Sequence, residues 1–289
     1  MKKHAKFTAK IYQNWFIILC TSLLITGTWY FSMFRKKHTS KPIVVIIPSY
    51  NNVQWYKKNL GMLINQEKHY TNWRAIYIDD CSPDGTGDAV EKFIKDNRFE
   101  DKITLIKNKK RCGAMANFYN TIHTCKDNEI IVVCDGDDWF KDSKVLYHID
   151  KVYQDKNVWM TYGQYEEYPS GNIGRCRQIP DLVIEQNEFR SYTWRSSHLR
   201  TFYAGLFKRI KKEDFMYNGE FLQATCDMAA MFPMLEMAGK HSKFIPKILY
   251  VYNMANPIND HKERLKLVLY LERLIRNSKR YKQLDTLLA

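Results

Sequence analysis

The sequence predicts an α/β domain with a mostly parallel central sheet flanked by helices. Short β-branched apolar runs alternate with amphipathic segments through the first half of the chain, which is the pattern of βαβ units. Polar clusters follow directly after three of these runs. Because the carboxyl ends of parallel strands meet at one edge of a sheet, these clusters are expected to lie together there and to bind a ligand.

Each element of this alternation has its own signal. Uninterrupted apolar runs predict four buried strands, at residues 43–47, 73–78, 103–106 and 130–133. Helices are predicted at 55–66, 86–97 and 113–124, the second of them with Val90, Phe93 and Ile94 on one face. A Cys-Ser-Pro-Asp-Gly turn at 81–85 separates the second strand from its helix.

The N-terminal segment differs from the rest of the chain. Residues 11–34 contain no charged residue and are long enough to cross a bilayer as a helix. Basic residues follow the stretch without a small-residue cleavage site, which argues against a cleaved signal peptide. We expect a basic tail at 1–10, a transmembrane helix at 11–34, a basic juxtamembrane linker at 35–41 and a folded domain at 42–289.

The net charge of +14 is concentrated at that N-terminus. Residues 1–41 carry eight basic residues and no acid, so the remainder of the chain carries only +6. A nucleic-acid surface is therefore not required, and attraction to a lipid bilayer with anionic headgroups accounts for the basic flanks. Four basic residues lie on each side of the span, so the positive-inside rule does not assign its orientation.

The cysteines and glycosylation signals bear on the compartment. The seven cysteines are irregularly spaced and include no CxxC pair, and the chain has no Asn-x-Ser/Thr sequon. These features argue against a disulfide framework and a glycosylated lumenal domain. We therefore expect the folded domain of this single-pass membrane protein to be cytosolic.

An acidic cluster follows the fourth predicted strand. Asp135, Asp137 and Asp138 surround Gly136, and such crowding of like charges is unfavourable unless a cation compensates it. Hard divalent metals prefer carboxylate oxygens and often share their ligand shell with substrate phosphates. The cluster predicts a Mn²⁺ or Mg²⁺ site; the alternative is a solvated turn in which Asp138 caps a helix.

Two further clusters lie at the ends of the second and third predicted strands. Asp79 or Asp80 could accept the imide N–H of a uracil ring, although aspartate also favours turns. Lys110 and Arg111, in a basic run after the third strand, could bind a diphosphate, although a solvated charge run is the alternative. The segment 48–52 contains no glycine, which excludes a dinucleotide-binding G-x-G-x-x-G loop, and no Walker A loop occurs.

Three motifs, in their order and spacing, resemble those of the family 2 glycosyltransferases with a GT-A (nucleotide-diphospho-sugar transferase) fold. That family typically reads P-x-Y-N, then D-D-x-S-x-D-x-T, then D-x-D-D. The corresponding segments here are Pro48-Ser49-Tyr50-Asn51, Asp79-Asp80-Cys81-Ser82-Pro83-Asp84-Gly85-Thr86 and Asp135-Gly136-Asp137-Asp138. The resemblance implies that 42–289 is a catalytic domain, with a nucleotide-binding half at 42–140 and an acceptor-binding half at 141–289.

The resemblance also implies roles for individual residues. Pro48 and Tyr50 would contact the base, and the Asp79–Asp80 pair would bind the uracil. Asp135 and Asp137 would hold the ribose and the metal. Cys81 stands where glycine is common in the family, and the glycine that usually follows the basic segment is displaced to position 113.

The second half of the chain resembles the family more loosely. Residues 224–229 resemble a motif in which an acidic residue opens a helix, which makes Asp227 the candidate general base. Its alternative role is as the N-cap of the helix at 228–238. A C-terminal histidine often joins the metal shell in such enzymes, and His261 is the candidate; the alternative is an ordinary surface histidine in the last helix.

Four residues are candidates for the acceptor site. Aromatic rings stack on sugar faces but also fill cores. Residues 201–207 resemble the glycine-containing loop that precedes the acidic motif in the family. The acceptor candidates are Trp194, Arg195, Tyr203 and Gly205.

These features together predict metal-dependent, inverting transfer of a sugar from a nucleotide-sugar donor, expected to be a UDP-sugar, to a glycan or lipid-linked acceptor. One alternative is a nucleotidyltransferase, which also uses paired aspartates and magnesium but normally has a Gly-rich basic loop after its first strand. The other is a catalytically inactive, membrane-anchored carbohydrate-binding homologue.

Overall fold

A computed structural model describes residues 39–258 and 264–287. The central sheet of this structure has eight strands. Two further strands, β8 and β9, form a separate antiparallel pair. The strands are β1 Ile43–Ser49, β2 Trp73–Asp79, β3 Ile103–Lys107, β4 Ile130–Val133, β5 Trp139–Phe140, β6 Met160–Tyr168, β7 Arg200–Tyr203, β8 Met216–Tyr217, β9 Glu220–Phe221 and β10 Ser242–Asn253.

Eight α-helices and three short 3₁₀ helices are described. The α-helices are α1 Tyr56–Ile64, α2 Thr86–Asn97, α3 Ala114–His123, α4 Val145–Val152, α5 Asp181–Glu185, α6 Ala204–Phe207, α7 Cys226–Ala238 and α8 Leu265–Asn277. The 3₁₀ helices are Asn65–Lys68, Lys212–Phe215 and Gly239–His241.

The first half of the sheet is parallel, as predicted. Its strands lie in the order β3-β2-β1-β4, and each neighbouring pair runs parallel. Every residue of β1 is buried, because helices cover both faces of a sheet built from βαβ units. The four strands and three helices predicted in this half are all present, and the mostly parallel α/β fold is confirmed.

The second half of the sheet departs from simple βαβ alternation. The full order is β3-β2-β1-β4-β7-β6-β10-β5, and β7 is antiparallel to both of its neighbours, β4 and β6. The sheet is therefore continuous across position 140, where the sequence places the boundary between the two halves. Residues 41–289 form one compact unit.

The predicted membrane anchor at 11–34 lies outside the described residues, as do tail 1–10 and most of linker 35–41. Within the part of the chain that the structure describes, no helix has both the length and the apolar character needed to cross a membrane.

Candidate active site

A cavity of about 450 Å³ opens beyond the carboxyl ends of β1 and β4. Its volume falls in the range of small-molecule sites. The cavity gathers the sequence-predicted residues Pro48, Tyr50, Asp80, Arg111, Asp135, Asp137, Asp138, Trp194 and Asp227. Segments that are far apart in the sequence therefore meet at the edge where the polar clusters are expected.

The acidic loop 135–138 packs against the end of β1 and the residues that follow it. The Gly136 N–H donates to the Pro48 carbonyl at 3.0 Å. A Cβ on Gly136 would lie 2.6 Å from the Cβ of Ser49 and 2.9 Å from Nδ2 of Asn52. Only glycine allows this close approach, so the second position of the motif is fixed by packing.

The buried side-chain amide of Asn59, on α1, also holds this loop in place. Its Nδ2 donates to the carbonyl of Asp135 at 3.0 Å and to the carbonyl of Asp138 at 2.7 Å. One side chain therefore satisfies two carbonyls of the loop, which fixes the direction of its carboxylates.

Strand β10 supplies the remaining support. The Tyr250 hydroxyl donates to Oδ2 of Asp138 at 2.6 Å, and the Asn253 N–H donates to Oδ1 of Asp138 at 2.7 Å. Just beyond the strand, Nδ2 of Asn256 donates to Oδ2 of Asp137 at 2.7 Å. Both carboxylate oxygens of Asp138 thus accept a hydrogen bond that holds the loop, and one oxygen of Asp137 does so.

Burial and mutual repulsion raise the pKa values of the inner carboxyls. Burial raises the pKa of Asp138 well above its ordinary value, and the charges of Asp137 and Asp135 raise it further. Burial also raises the pKa of Asp137, against the lowering effect of the Asn256 hydrogen bond. A cation in this loop would relieve both penalties.

The buried guanidinium of Arg200, on β7, joins the acidic loop to α7. Its Nη2 lies 3.4 Å from Oδ2 of Asp135, and its Nη1 lies 3.5 Å from Oδ2 of Asp227. Burial opposes the charge of Arg200, but attraction to Asp135 and Asp227 outweighs burial and raises its pKa. One buried guanidinium therefore contacts both Asp135 and Asp227, which fixes the two carboxylates relative to each other.

Asp227 is the second residue of α7 rather than its cap. The helix begins at Cys226, two residues earlier than predicted, and Thr225 precedes it with a left-handed φ of 56° and no side-chain cap bond. Oδ1 of Asp227 accepts the N–H of Met228 at 2.9 Å, and its carboxylate lines the cavity. The capping alternative is thereby wrong, although the helix N-terminus still favours the charged carboxylate.

Of the two aspartates that end β2, Asp80 faces the cavity. Its Oδ1 accepts Nδ2 of Asn108 at 2.7 Å and the Cys112 N–H at 2.9 Å, and its Oδ2 accepts the Gly113 N–H at 2.8 Å. Burial alone would raise the pKa of Asp80, but these hydrogen bonds outweigh it and lower the pKa. Asp80 therefore also orders the segment that carries Arg111.

Asp79 is buried and does not line the cavity. A Cβ on Gly87 would lie 2.7 Å from its Oδ2, so the Asp79 carboxylate packs against the first turn of α2. A helix N-terminus is a favourable environment for that charge. The choice that the sequence left open between the two aspartates is settled in favour of Asp80 as the cavity residue.

The basic segment after β3 contributes one side chain to the cavity. The guanidinium carbon of Arg111 lies 3.8 Å from the centroid of the Tyr50 ring, a cation–π contact, and both residues line the cavity beside Pro48. Lys110 is exposed and does not line it. The basic run in the sequence did not indicate which of these two residues would line the cavity.

Trp194 lines the cavity, but the other acceptor candidates do not. Arg195 donates to the carbonyl of Arg175 at 3.1 Å outside it. Tyr203 is buried in the core and packs edge-on against Tyr153, with centroids 5.2 Å apart. Successive side chains of a strand point to opposite faces, and Arg200 of β7 takes the cavity side.

Gly205 also lies away from the cavity. A Cβ at this position would approach the Cβ of Asp127 to 3.0 Å, so the glycine permits α6 to pack on the loop before β4. The expectation that Tyr203 and Gly205 line an acceptor site is therefore wrong, because both face protein rather than the cavity.

The residues at the acidic loop fit a divalent cation. The potential ligand atoms of Asp135, Asp138 and His198 all lie within 4.8 Å of one another. Burial, with the nearby charge of Arg200, lowers the pKa of His198 well below its ordinary value, so the ring is neutral as a ligand must be. Its Nδ1 is buried without a partner among the described residues. His261 lies outside those residues.

Sequence reasoning missed several functional residues. Arg200 and His198 come from β7 and the segment before it, and the supports of the loop are Asn59, Tyr250, Asn253 and Asn256. Arg200 could have been found from the sequence, because an arginine among apolar strand residues predicts a buried cation that requires an acidic partner. The asparagines carry no such signal.

The family model "Glycosyl transferase family 2" matches residues 44–215, more than half of the chain. The chain belongs to this family and is a glycosyltransferase with a GT-A-like fold.

Two curated relatives are also glycosyltransferases. Glycosyltransferase GlyG of Streptococcus pneumoniae serotype 4 is 27% identical over 224 residues, covering 74% of this chain and 71% of the relative. The putative teichuronic acid biosynthesis glycosyltransferase TuaG of Bacillus subtilis (strain 168) is 27% identical over 103 residues, covering 35% of this chain and 39% of the relative.

Solved structures share the fold. S. aureus TarS residues 1–349 superpose with a TM-score of 0.58 at 14% identity, covering 83% of this chain and 67% of that one. The mannosyltransferase PcManGT from Pyrobaculum calidifontis, in complex with GDP-Man and Mn²⁺, gives a TM-score of 0.56 at 18% identity, covering 92% and 76%.

Proposed function

We propose that this glycosyltransferase moves a sugar from a nucleotide-sugar, a UDP-sugar by preference, to a hydroxyl of a glycan or lipid-linked acceptor, with inversion and with a divalent metal, Mn²⁺ or Mg²⁺. The observation that carries the proposal is the Arg200 bridge. Arg200 contacts both Asp135, which we assign to the donor and metal side, and Asp227, which we assign as the base, and both aspartates line one cavity.

The nucleoside end of the donor would lie between β1 and the 108–113 segment. The Tyr50 ring and the Arg111 guanidinium offer a flat surface for a base, and Asp80 offers a carboxylate at the same wall. A carboxylate accepts the imide N–H of uracil, which is the basis of the UDP preference. TarS has been solved in complex with UDP and with UDP-GlcNAc, and PcManGT with GDP-Man, which supports a nucleotide-sugar donor.

The metal would be held by the acidic loop. Asp135 and Asp137 line the cavity, with Asp138 and His198 beside them. When bound, a divalent cation neutralises negative charge that develops on a diphosphate leaving group. The Mn²⁺ present in the PcManGT complex supports this choice of metal.

Asp227 would act on the acceptor. Its carboxylate takes the proton from the acceptor hydroxyl while that oxygen forms a bond to the anomeric carbon. The bond from the anomeric carbon to the phosphate oxygen breaks at the same time, and the nucleoside diphosphate leaves with the electron pair. A single displacement of this kind inverts the anomeric configuration.

The setting of the enzyme is proposed from the sequence. The uncharged span 11–34 would anchor the chain by one helix, with the catalytic domain in the cytosol. The nucleotidyltransferase alternative loses its basis, because the matched family transfers sugars. The alternative of an inactive homologue is tested by measuring whether the protein releases nucleoside diphosphate from a donor.

The decisive experiment is a panel of UDP-Glc, UDP-Gal, UDP-GlcNAc and GDP-Man, each with Mn²⁺ or with a chelator. Water takes the place of the acceptor hydroxyl, and the readings are nucleoside diphosphate release and melting temperature. We expect one UDP-sugar to stabilise the protein and to release UDP only with metal. Release in wild type but not in Asp227→Asn would identify an enzyme. Donor binding without release by any donor would identify the inactive homologue and overturn the proposal.

A further inference from the structure

Helix α8 exposes a mixed apolar and basic face. Seven of its residues are exposed, and at 100° per residue they occupy one half of the helix. They are Leu265, Lys266, Leu269, Tyr270, Arg273, Leu274 and Asn277. The four large apolar side chains among them are 36–57% exposed.

The opposite face is docked firmly. Val268, Leu271 and Ile275 are buried in the core. Arg190, which forms a buried ion pair with Glu236, also donates to the Ile275 carbonyl at 2.6 Å. The exposed face therefore points outward from a fixed helix and cannot turn inward to hide its leucines.

The charges of this face select its partner. Lys266 and Arg273 stand among the exposed leucines, and none of the seven exposed residues is acidic. Glu272 lies off this face and pairs with Arg276 at 2.8 Å. A symmetric contact with a second copy would bring the same cations together, which is unfavourable, whereas anionic headgroups would neutralise them.

We propose that the exposed face of α8 binds the surface of a bilayer that contains anionic lipids. Leucine and tyrosine side chains would enter the headgroup boundary, and Lys266 and Arg273 would contact lipid phosphates. This is a second membrane contact, independent of the span predicted at 11–34.

Helix α8 lies beside the cavity, so a membrane contact there would bring the cavity close to the lipid surface. Val268 and Glu272, on the inner side of the helix, line the cavity together with Arg264 just before it. A membrane-bound α8 would hold the cavity mouth at the lipid surface, where a lipid-linked acceptor presents its hydroxyl. This last step rests on the proposed function.

The test uses residues 41–289, which form one compact unit and contain the complete core at 43–287. We would measure co-sedimentation with vesicles of phosphatidylcholine alone and with phosphatidylglycerol added. We expect binding to the anionic vesicles that weakens with salt. Leu265→Glu with Leu269→Glu should reduce the partition coefficient about tenfold or more. Lys266→Gln with Arg273→Gln should reduce it about fivefold per charge removed.

A matched control is available on other elements. Ile173 and Leu182 are 52% and 62% exposed, so Ile173→Glu with Leu182→Glu makes the same chemical change elsewhere. This pair should bind vesicles like wild type. Three results would each overturn the inference. These are an equal loss of vesicle binding in both double variants, no binding of wild type to anionic vesicles, and a lipid-free dimer that dissociates in the Leu265→Glu, Leu269→Glu variant.

Donor turnover distinguishes the loss of the membrane contact from the loss of enzymatic activity. Release of UDP from a soluble donor should be unchanged in the Leu265→Glu, Leu269→Glu pair, because neither leucine lines the cavity. Normal donor turnover without vesicle binding would overturn the membrane contact alone. Vesicle binding without donor turnover would support the contact and overturn the enzymatic proposal.

Discussion

The guanidinium of Arg200 lies 3.5 Å from the carboxylate of Asp227 and contacts Asp135 through its other terminal nitrogen. Arg200 is buried, while the side chains of the two aspartates remain about a third exposed, at 30% and 32%. The arginine thus fixes both carboxylates from behind and leaves them open to the cavity.

Arg200→Lys should therefore separate positioning from charge. A single ammonium group preserves the positive charge but cannot bond to both carboxylates as a planar fork does. We expect donor release to fall about 10²-fold through kcat, with a smaller change in KM for the donor. Arg200→Gln should also lower the free energy of unfolding by about 1–3 kcal/mol. Full activity of the Lys variant would show that the bridge is not needed.

Asp227→Asn tests the base directly. Asparagine keeps the size of the side chain and its oxygen can still accept the Met228 N–H. We expect the variant to fold and to bind UDP, with a melting temperature lowered slightly because Arg200 loses one of the two charges that face it, while transfer falls by about 10²–10⁴ because no carboxylate accepts the proton. Wild-type transfer by a folded, UDP-binding variant would refute the assignment, and Asp214 or Glu220 would be tested next.

Asp137→Asn tests the metal site with a readout other than activity. The amide oxygen can still accept the Asn256 hydrogen bond, but the charge that would attract a cation is gone. Calorimetric titration with Mn²⁺ should show affinity reduced by roughly 10–100-fold. The exposed Asp127, which pairs with Lys208, gives the control Asp127→Asn. Undiminished Mn²⁺ affinity in the Asp137 variant would remove this residue from the site.

Asp80→Ala should weaken UDP binding in two ways. It removes a carboxylate from the cavity wall, and it leaves the Cys112 and Gly113 N–H groups without their acceptor. We expect UDP affinity to fall at least tenfold, which is about 1.4 kcal/mol. Amide exchange at 112–113 should rise as well. The control Asp88→Ala, at a 90% exposed side chain on α2, should change neither. Weaker UDP binding with unchanged amide exchange would assign Asp80 to base recognition alone.

His198 should make the metal-free protein sensitive to mild acid. Burial, with the charge of Arg200, lowers the folded-state pKa of His198 well below the ordinary 6.5, so the unfolded chain binds the proton more readily. Its contribution to stability is complete above pH 6.5 and is lost as the pH falls below it, by up to about 1.4 kcal/mol per pH unit. In chelator, urea melts of His198→Gln should have a flatter pH dependence from 6.5 to 5 than wild type. Parallel pH profiles would contradict a buried neutral ring.

The regular part of the fold was predictable from local pattern. The helix at 86–97 and the strand at 130–133 match α2 and β4 to the residue, because apolar periodicity and a turn define both. The motif at 224–229 also pointed to Asp227, which lines the cavity. In each case the deciding interactions are close in sequence.

The rest of the site depends on contacts that local pattern does not encode. β7 is inserted antiparallel between β4 and β6, and the alternation along it decides that Arg200 faces the cavity and Tyr203 the core. Reading residues 201–207 as a loop lost that alternation. The register of one strand therefore accounts for both the missed arginine and the misplaced tyrosine.

The support of the acidic loop by β10 bears on how the enzyme is made. Tyr250, Asn253 and Asn256 lie 112–119 positions after the carboxylates they hold. A nascent chain that has emerged as far as residue 215, where the family match ends, already contains the whole D-x-D-D motif but none of these three supports. The hydrogen bonds that set this loop can therefore form only after residues 250–256 have been synthesised. Chains terminated before residue 250 would carry the motif but lack the hydrogen bonds that hold the carboxylates of Asp137 and Asp138 in place.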